Sequence, residues 1–178
     1  MKKQLLTLVA IMLVSATTFA QSSNAVNKLS VGADFAVPTG DLSLISSIGY
    51  GGSIQGEFNV AKSLNLTASA GYLTFDYKKS LKDLFDQAGV KMDKMGAIPV
   101  KAGAKYYFGK MFYGAAELGA SFTTGETSAT AFAYAPSVGI NLPLANKNAF
   151  DLGLRYESWS NEGTSSFIGM RASFAFGL

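Results

Sequence analysis

The stretch "NAFDLGLRYESWS" (residues 148–160) separates into two sequences when every second residue is read. Phe150, Leu152, Leu154 and Tyr156 are apolar, while Asp151, Arg155 and Glu157 are charged, with Gly153 among them. Alternation this strict predicts a β-strand with two unlike faces. A soluble sheet would turn the charges to water and the apolar row to a core. Whether that holds here depends on the rest of the chain.

From residue 28 onward the same alternation recurs in eight stretches: 28–37, 49–60, 64–75, 97–108, 112–123, 131–142, 149–158 and 165–178. The connections after the second, fourth and sixth are short, and those after the others are mostly longer and more polar. An even number of strands with short turns at one end and longer loops at the other is the habit of transmembrane barrels. Across all eight stretches one face is apolar and uncharged, from Leu29, Val31 and Phe35 through Val100, Leu118 and Val138 to Met170 and Phe176. The other face is Gly, Ser, Ala, Thr, Asn and Gln with nearly all the strand charges. A small soluble barrel fills its interior with large apolar side chains, and this second face is too small and polar to do that. The apolar face is therefore expected to point outward, into lipid.

The aromatic residues support that orientation. Phe58, Tyr106, Phe108, Phe112, Phe150, Phe174 and Phe176 fall near the short turns, and Phe35, Tyr50, Tyr72, Phe122, Phe132, Tyr134 and Tyr156 near the longer loops. Two aromatic levels flanking an apolar band are the expected interfacial girdles.

The first residues are of another kind. Lys2 and Lys3 precede an apolar run from Leu5 to Val14, and Thr18 and Ala20 stand at −3 and −1 before Gln21. This is the three-part pattern of a secretory signal peptide; the run is too short for a spanning helix, which needs ~20 residues. The expected organisation is a signal peptide at 1–20, a short N-terminal segment at 21–27 and one barrel domain at 28–178. Without Lys2 and Lys3 the 15 basic residues become 13, against 12 acidic, for a net charge of +1. Nothing in that balance points to nucleic acid.

With these features in hand, the chain resembles the small eight-stranded bacterial outer-membrane β-barrel-domain proteins, and more distantly the OmpA and OmpX barrels. The resemblance covers residues 28–178 and implies an all-β fold: an eight-stranded antiparallel up-and-down transmembrane β-barrel, preceded by a cleaved signal peptide. It implies residence in the bacterial cell outer membrane among lipid and lipopolysaccharide, passage through periplasmic chaperones and the barrel-assembly machinery, and a monomer. The family's terminal aromatic is replaced by "FAFGL", so recognition by that machinery would use Phe174, Phe176 and Leu178.

The chain has neither cysteine nor histidine, which removes disulfides, thiolate sites and the commonest general base and metal ligand. "GYGGSIQG" (49–56) lacks the lysine followed by serine or threonine that closes a phosphate loop. Its glycines suit close packing, with Gly51 inward and Gly52 and Gly56 outward. "NLT" (65–67) matches a glycosylation sequon but lies inside a strand. Asp41, Glu126 and Glu162 are too sparse for a calcium site. Some barrels of this size hydrolyse lipid A, which needs an activated nucleophile; without histidine that route is closed. No cofactor, no metal and no enzymatic activity are expected.

The chemistry that remains lies inside. Asp34, Glu57, Lys101, Lys105, Glu117, Asp151, Arg155, Glu157 and Arg171 are expected to face the lumen. An eight-stranded barrel is just wide enough to be filled by its own side chains, so these charges are expected to pair and plug it. The tight turn at 109–111 sets Tyr107 opposite Tyr113 and Glu117 opposite Gly103, placing Glu117 between Lys101 and Lys105. Asp151 and Arg155 are expected near Arg171, with Asp34 as the closing acid. The one segment without strand character, 76–97, predicts a helix: Leu81, Leu84, Phe85 and Ala88 recur at helical spacing, Ser80 and Asp83 resemble a capping box, and Gly89 can end it. Lys78, Lys79, Lys82, Leu84, Phe85, Lys91 and Lys94 form a candidate loop interaction site for lipopolysaccharide phosphates or an external partner. Functionally the pattern fits a non-enzymatic surface-interaction barrel with a plugged lumen; the alternatives are a narrow ion or small-solute channel and a soluble lipocalin-like binding barrel.

Overall fold

The computed structural model describes residues 27–87, 89, 94–124 and 129–178. Eight antiparallel strands close into a barrel in chain order: β1 (Lys28–Thr39), β2 (Ser46–Ala61), β3 (Leu64–Tyr77), β4 (Met95–Phe108), β5 (Phe112–Thr124), β6 (Thr130–Pro143), β7 (Ala149–Ser160) and β8 (Thr164–Gly177). The strands run up to three residues past the ends of the expected stretches because the alternation fades near the mouths before the pairing does. A four-residue helix α1 (Leu42–Ile45) and a helix α2 (Lys79–Gln87) lie in the first and second longer loops, and a 3-10 turn spans Ala145–Lys147.

Closure runs along the seam between β1 and β8, from Lys28 opposite Gly177 to Thr39 opposite Ser166. It leaves no free strand edge. The first and last described residues meet at the short-turn mouth, where the Leu178 amide donates to the Asn27 carbonyl (2.8 Å). The β4–β5 register puts Tyr107 opposite Tyr113 and Glu117 opposite Gly103, as the turn predicts. One connection departs from the expected pattern: β7 and β8 are joined by only 161–163, the same length as the short turn at 109–111.

Outward side chains along the middle of the strands carry no charge and stand exposed; Leu118 is 57 % and Val138 59 % accessible. Aromatics stand exposed near both mouths: Tyr106, Phe108, Phe112, Phe150 and Phe176 at one, Phe35, Tyr50, Tyr72, Phe132 and Tyr156 at the other. A row of this kind is stable only against an apolar medium. Leu118→Arg should therefore cost ~2–4 kcal/mol of folding free energy in bilayers, while Leu118→Ala should cost far less. Equilibrium unfolding of both variants in lipid vesicles measures the difference.

The interior corrects the sequence reading in one respect. Its inward row is not uniformly small and polar. Near the longer loops, Leu73 and Phe75 (β3), Trp159 (β7), Phe167 (β8) and Ala36, Ala97 and Ala133 form an apolar core, with Leu42 of α1 buried against it. Phe75 meets Trp159 and Phe167 edge-on at 5.8 and 5.4 Å between ring centres, and Trp159 meets Phe167 at 5.2 Å. Gly49 stands where a Cβ would fall 2.6 Å from the Phe75 ring. Gly51 stands where one would fall 1.9 Å from the Tyr72 carbonyl oxygen, so close packing does account for that inward glycine. The polar rows thus build the lower and middle lumen, and an aromatic cap closes the top.

Candidate functional site

The charged residues of the alternating rows meet inside the barrel beneath this cap. Glu157, with 0 % exposure, accepts from Lys101 Nζ (2.6 Å), Arg155 Nε (2.7 Å) and Trp159 Nε1 (2.8 Å). The Arg155 guanidinium continues to Asp34 (2.6 Å), which also accepts from Ser53 Oγ (2.6 Å). These contacts run from β4 through β7 to β1 and β2, bridging the lumen. Nearer the short turns Lys105 lies between two acids, 3.1 Å from Glu57 and 2.8 Å from Asp151. Its ammonium rests 3.8 Å from the centre of the Tyr113 ring. Tyr107 donates to Glu57 (2.6 Å) and Tyr113 to Asp151 (2.8 Å), with Asn65 and Asn141 completing the two carboxylates. Tyr113 lies across the lumen because Gly139 and Gly153 face it without side chains; a Cβ at Gly139 would fall 2.4 Å from the ring.

All nine sequence-predicted lumen charges point inward, and seven are at most 8 % exposed; only Arg171, at 9 %, and Arg155, with 12 % of its side chain accessible, exceed that. Two of the expected partnerships do not form. Glu117 joins neither Lys101 nor Lys105; it accepts from Gln55 Nε2 at 3.0 Å, because each lysine finds a carboxylate on β7 or β2. Arg171 pairs with no acid among the described residues. Opposite Asp34 on the seam, it donates to Ser53 Oγ (2.8 Å) and Ser30 Oγ (3.0 Å), so that Ser53 stands between it and Asp34. Asp34 closes onto Arg155 instead. Between these groups lie two cavities of about 30 and 40 Å³, both lined by Gln55, Glu117, Arg155 and Arg171. Each has room for about one water molecule.

Lys28 was missed as a lumen residue. It lies opposite Glu57 at the start of β1, donates to Asn141 (2.9 Å), and brings the inward bases to five against five acids. Tyr107, Tyr113 and Trp159 were missed too, although parity marks them: Trp159 continues the row of Asp151, Arg155 and Glu157 in the stretch that defined the strand. Asn65 of the sequon is buried in the lumen beside Glu57 and offers no glycosylation site.

The candidate loop site is only partly assembled. α2 forms, and Gly89 after it has φ +75°, as a helix terminator requires. Ser80 lies within the helix rather than capping it, since the Leu81 and Lys82 amides bond back to the Lys78 carbonyl. No residue of α2 is buried, and Leu84 and Phe85 stand exposed. Lys78, Lys79 and Lys82 belong to this segment. Lys94 is tied elsewhere, to the Tyr50 hydroxyl and to Asp76 (3.1 Å), contacts that raise its pKa above the usual lysine value. Lys91, Ala88 and Glu126 lie outside the described residues. Among the described residues no three acidic side chains gather as a metal site, and no helix is long and apolar enough to cross a membrane.

A closed eight-stranded barrel with an apolar exterior and an ion-paired interior has the architecture of the small outer-membrane barrels. Solved structures share that fold. Ail, the attachment invasion locus protein of Yersinia pestis, aligns with a TM-score of 0.58 at 15 % identity over 85 % of this chain and 99 % of its own. Neisserial surface protein A aligns at 0.61 and 14 % identity, over 84 % and 94 %. The outer membrane protein AlkL aligns at 0.57 and 12 % identity, over 89 % and 94 %. No protein-family model matches the chain, and no curated protein matches it.

Proposed function

We propose that this protein is a non-enzymatic, non-conducting barrel of the bacterial outer membrane that holds its longer loops and α2 at the cell surface. The observation that carries this is the doubly closed lumen: an ionic layer bridging the strands from Lys101 to Asp34, and the Phe75–Trp159–Phe167 cap above it. A soluble lipocalin-like role is disfavoured by an outward face without charge. In this reading residues 1–20 direct export and are removed, the barrel-assembly machinery recognises the outward Phe174 and Phe176 with Leu178, and the barrel works as a monomer in lipid and lipopolysaccharide. α2, with Lys78, Lys79 and Lys82 beside the exposed Leu84 and Phe85, is the segment offered to an external partner or to lipopolysaccharide phosphates. Neisserial surface protein A and Ail, the attachment invasion locus protein, share the fold, and Ail has been crystallised with the heparin analogue sucrose octasulfate.

Planar-bilayer recording tests the closed lumen. The purified barrel should give no resolved open level at moderate voltage. A large, stable, cation-selective conductance would replace this reading with the channel.

A further inference from the structure

The short-turn mouth contains a concave pocket of about 320 Å³ whose walls come from the start of β1 and from all three short turns. Lys28, Lys62, Lys110 and Lys147 line it. Four asparagines, Asn59 and Asn148 among them, add neutral polar groups. Among the described residues no carboxylate side chain lines it. Glu57, the nearest acid in the register, is occupied by Lys105, Tyr107 and Asn65 deeper in the lumen. Four like charges around one concavity repel one another and focus a positive potential into it. Lysines serving only to meet lipid headgroups would extend outward along the barrel wall; these four, from β1 and three separate turns, line one pocket.

The turn carrying Lys147 gives a second, independent indication. Asn146 (φ 59°) and Lys147 (φ 62°) both hold left-handed backbone conformations without being glycine. For lysine that conformation is uncommon, and non-glycine residues kept in it cluster at binding sites. The turn is fixed by the Leu144 amide on the Asn148 carbonyl (2.8 Å) and by Asn148 Oδ1 accepting from the Gly177 amide (3.3 Å). Lys147 packs so closely on Gly177 that a Cβ there would fall 2.5 Å from its own. Ordinary turn chemistry would place glycine or asparagine at both positions, and this chain places a lysine facing the pocket.

We propose that the short-turn mouth is a binding site for a compact multivalent anion of the phosphate class, held by Lys28, Lys62, Lys110 and Lys147. Lysine binds phosphate as a point charge, and four of them around a pocket this size suit a diphosphate better than a monovalent anion. The phosphate could belong to a free solute or to lipid headgroups of the adjacent leaflet. Pyrophosphate is the probe, titrated by calorimetry into the mature barrel in phosphatidylcholine nanodiscs at low salt. Saturable binding is expected, with affinity falling at least tenfold in Lys110→Gln/Lys147→Gln. These are exposed turn residues whose loss should leave the barrel intact. Lys79→Gln/Lys82→Gln at the opposite mouth should leave the affinity unchanged. Repeating the titration in discs containing phosphatidylglycerol separates the sources: weaker pyrophosphate binding there, at equal ionic strength, means lipid phosphates occupy the pocket, and unchanged binding assigns it to a free anion. Absence of saturable binding in phosphatidylcholine discs, or an equal loss from the Lys79/Lys82 pair, would overturn the proposal.

Discussion

Glu157→Gln should destabilise the barrel by ~3–5 kcal/mol, the cost of leaving buried charges without their partner. Its carboxylate has no exposed surface and receives three donors, two of them cationic. Glutamine preserves the shape but removes the charge, and its amide nitrogen would face either both cations, which share Oε2, or the Trp159 indole N–H at Oε1. Arg155 keeps Asp34, whereas Lys101 has no other ion-pair partner among the described residues. Adding Lys101→Met should therefore recover part of the loss, by withdrawing the stranded ammonium. Urea unfolding of the two single variants and the double variant in vesicles gives the cycle. Strictly additive losses would show that Lys101 and Glu157 do not stabilise one another.

The sequence made the barrel legible because a membrane strand has to repeat one pattern. Period-two alternation identified all eight strands, and the tight 109–111 turn fixed the β4–β5 register to the residue. Partner choice inside the lumen was less legible, for a physical reason. Cross-strand neighbours follow from register, but Lys101–Glu157 and Arg155–Asp34 join strands that are not adjacent, and such contacts depend on barrel diameter and side-chain reach. Glu117 was matched to lysines on its neighbouring strand, which instead reach across the lumen. The aromatic cap is less legible because Phe75, Trp159 and Phe167 sit toward the strand ends, where large apolar side chains interrupt the small and polar inward rows. Leu42 could not have been placed by alternation at all, since it enters the core from a loop helix. Lys28, Lys62, Lys110 and Lys147 lie far apart in sequence, and only closure of the barrel gathers them at one mouth.

Phe75→Ala should remove ~3–5 kcal/mol, the usual cost of emptying a buried aromatic site, because the ring is fully enclosed by Trp159, Phe167 and the Gly49 gap. Its effect on permeability should nevertheless be small. Beneath the cap the Lys101–Glu157–Arg155–Asp34 chain still bridges the lumen, so bilayer recordings of the variant should stay closed. The two layers are not independent, however. Trp159 forms a face of the cap and donates its indole N–H to Glu157, so loosening the rings loosens one of the three donors that hold that carboxylate. Phe75→Ala combined with Glu157→Gln should thus depart from additivity by more than ~0.5 kcal/mol. Phe75→Ala combined with Lys105→Met should add, because Lys105, Glu57 and Asp151 share no hydrogen-bond partner with the cap. Equal coupling in the two pairs would mean that the lumen behaves as one undivided core, and the indole N–H would lose its place as the link between aromatic and ionic layers.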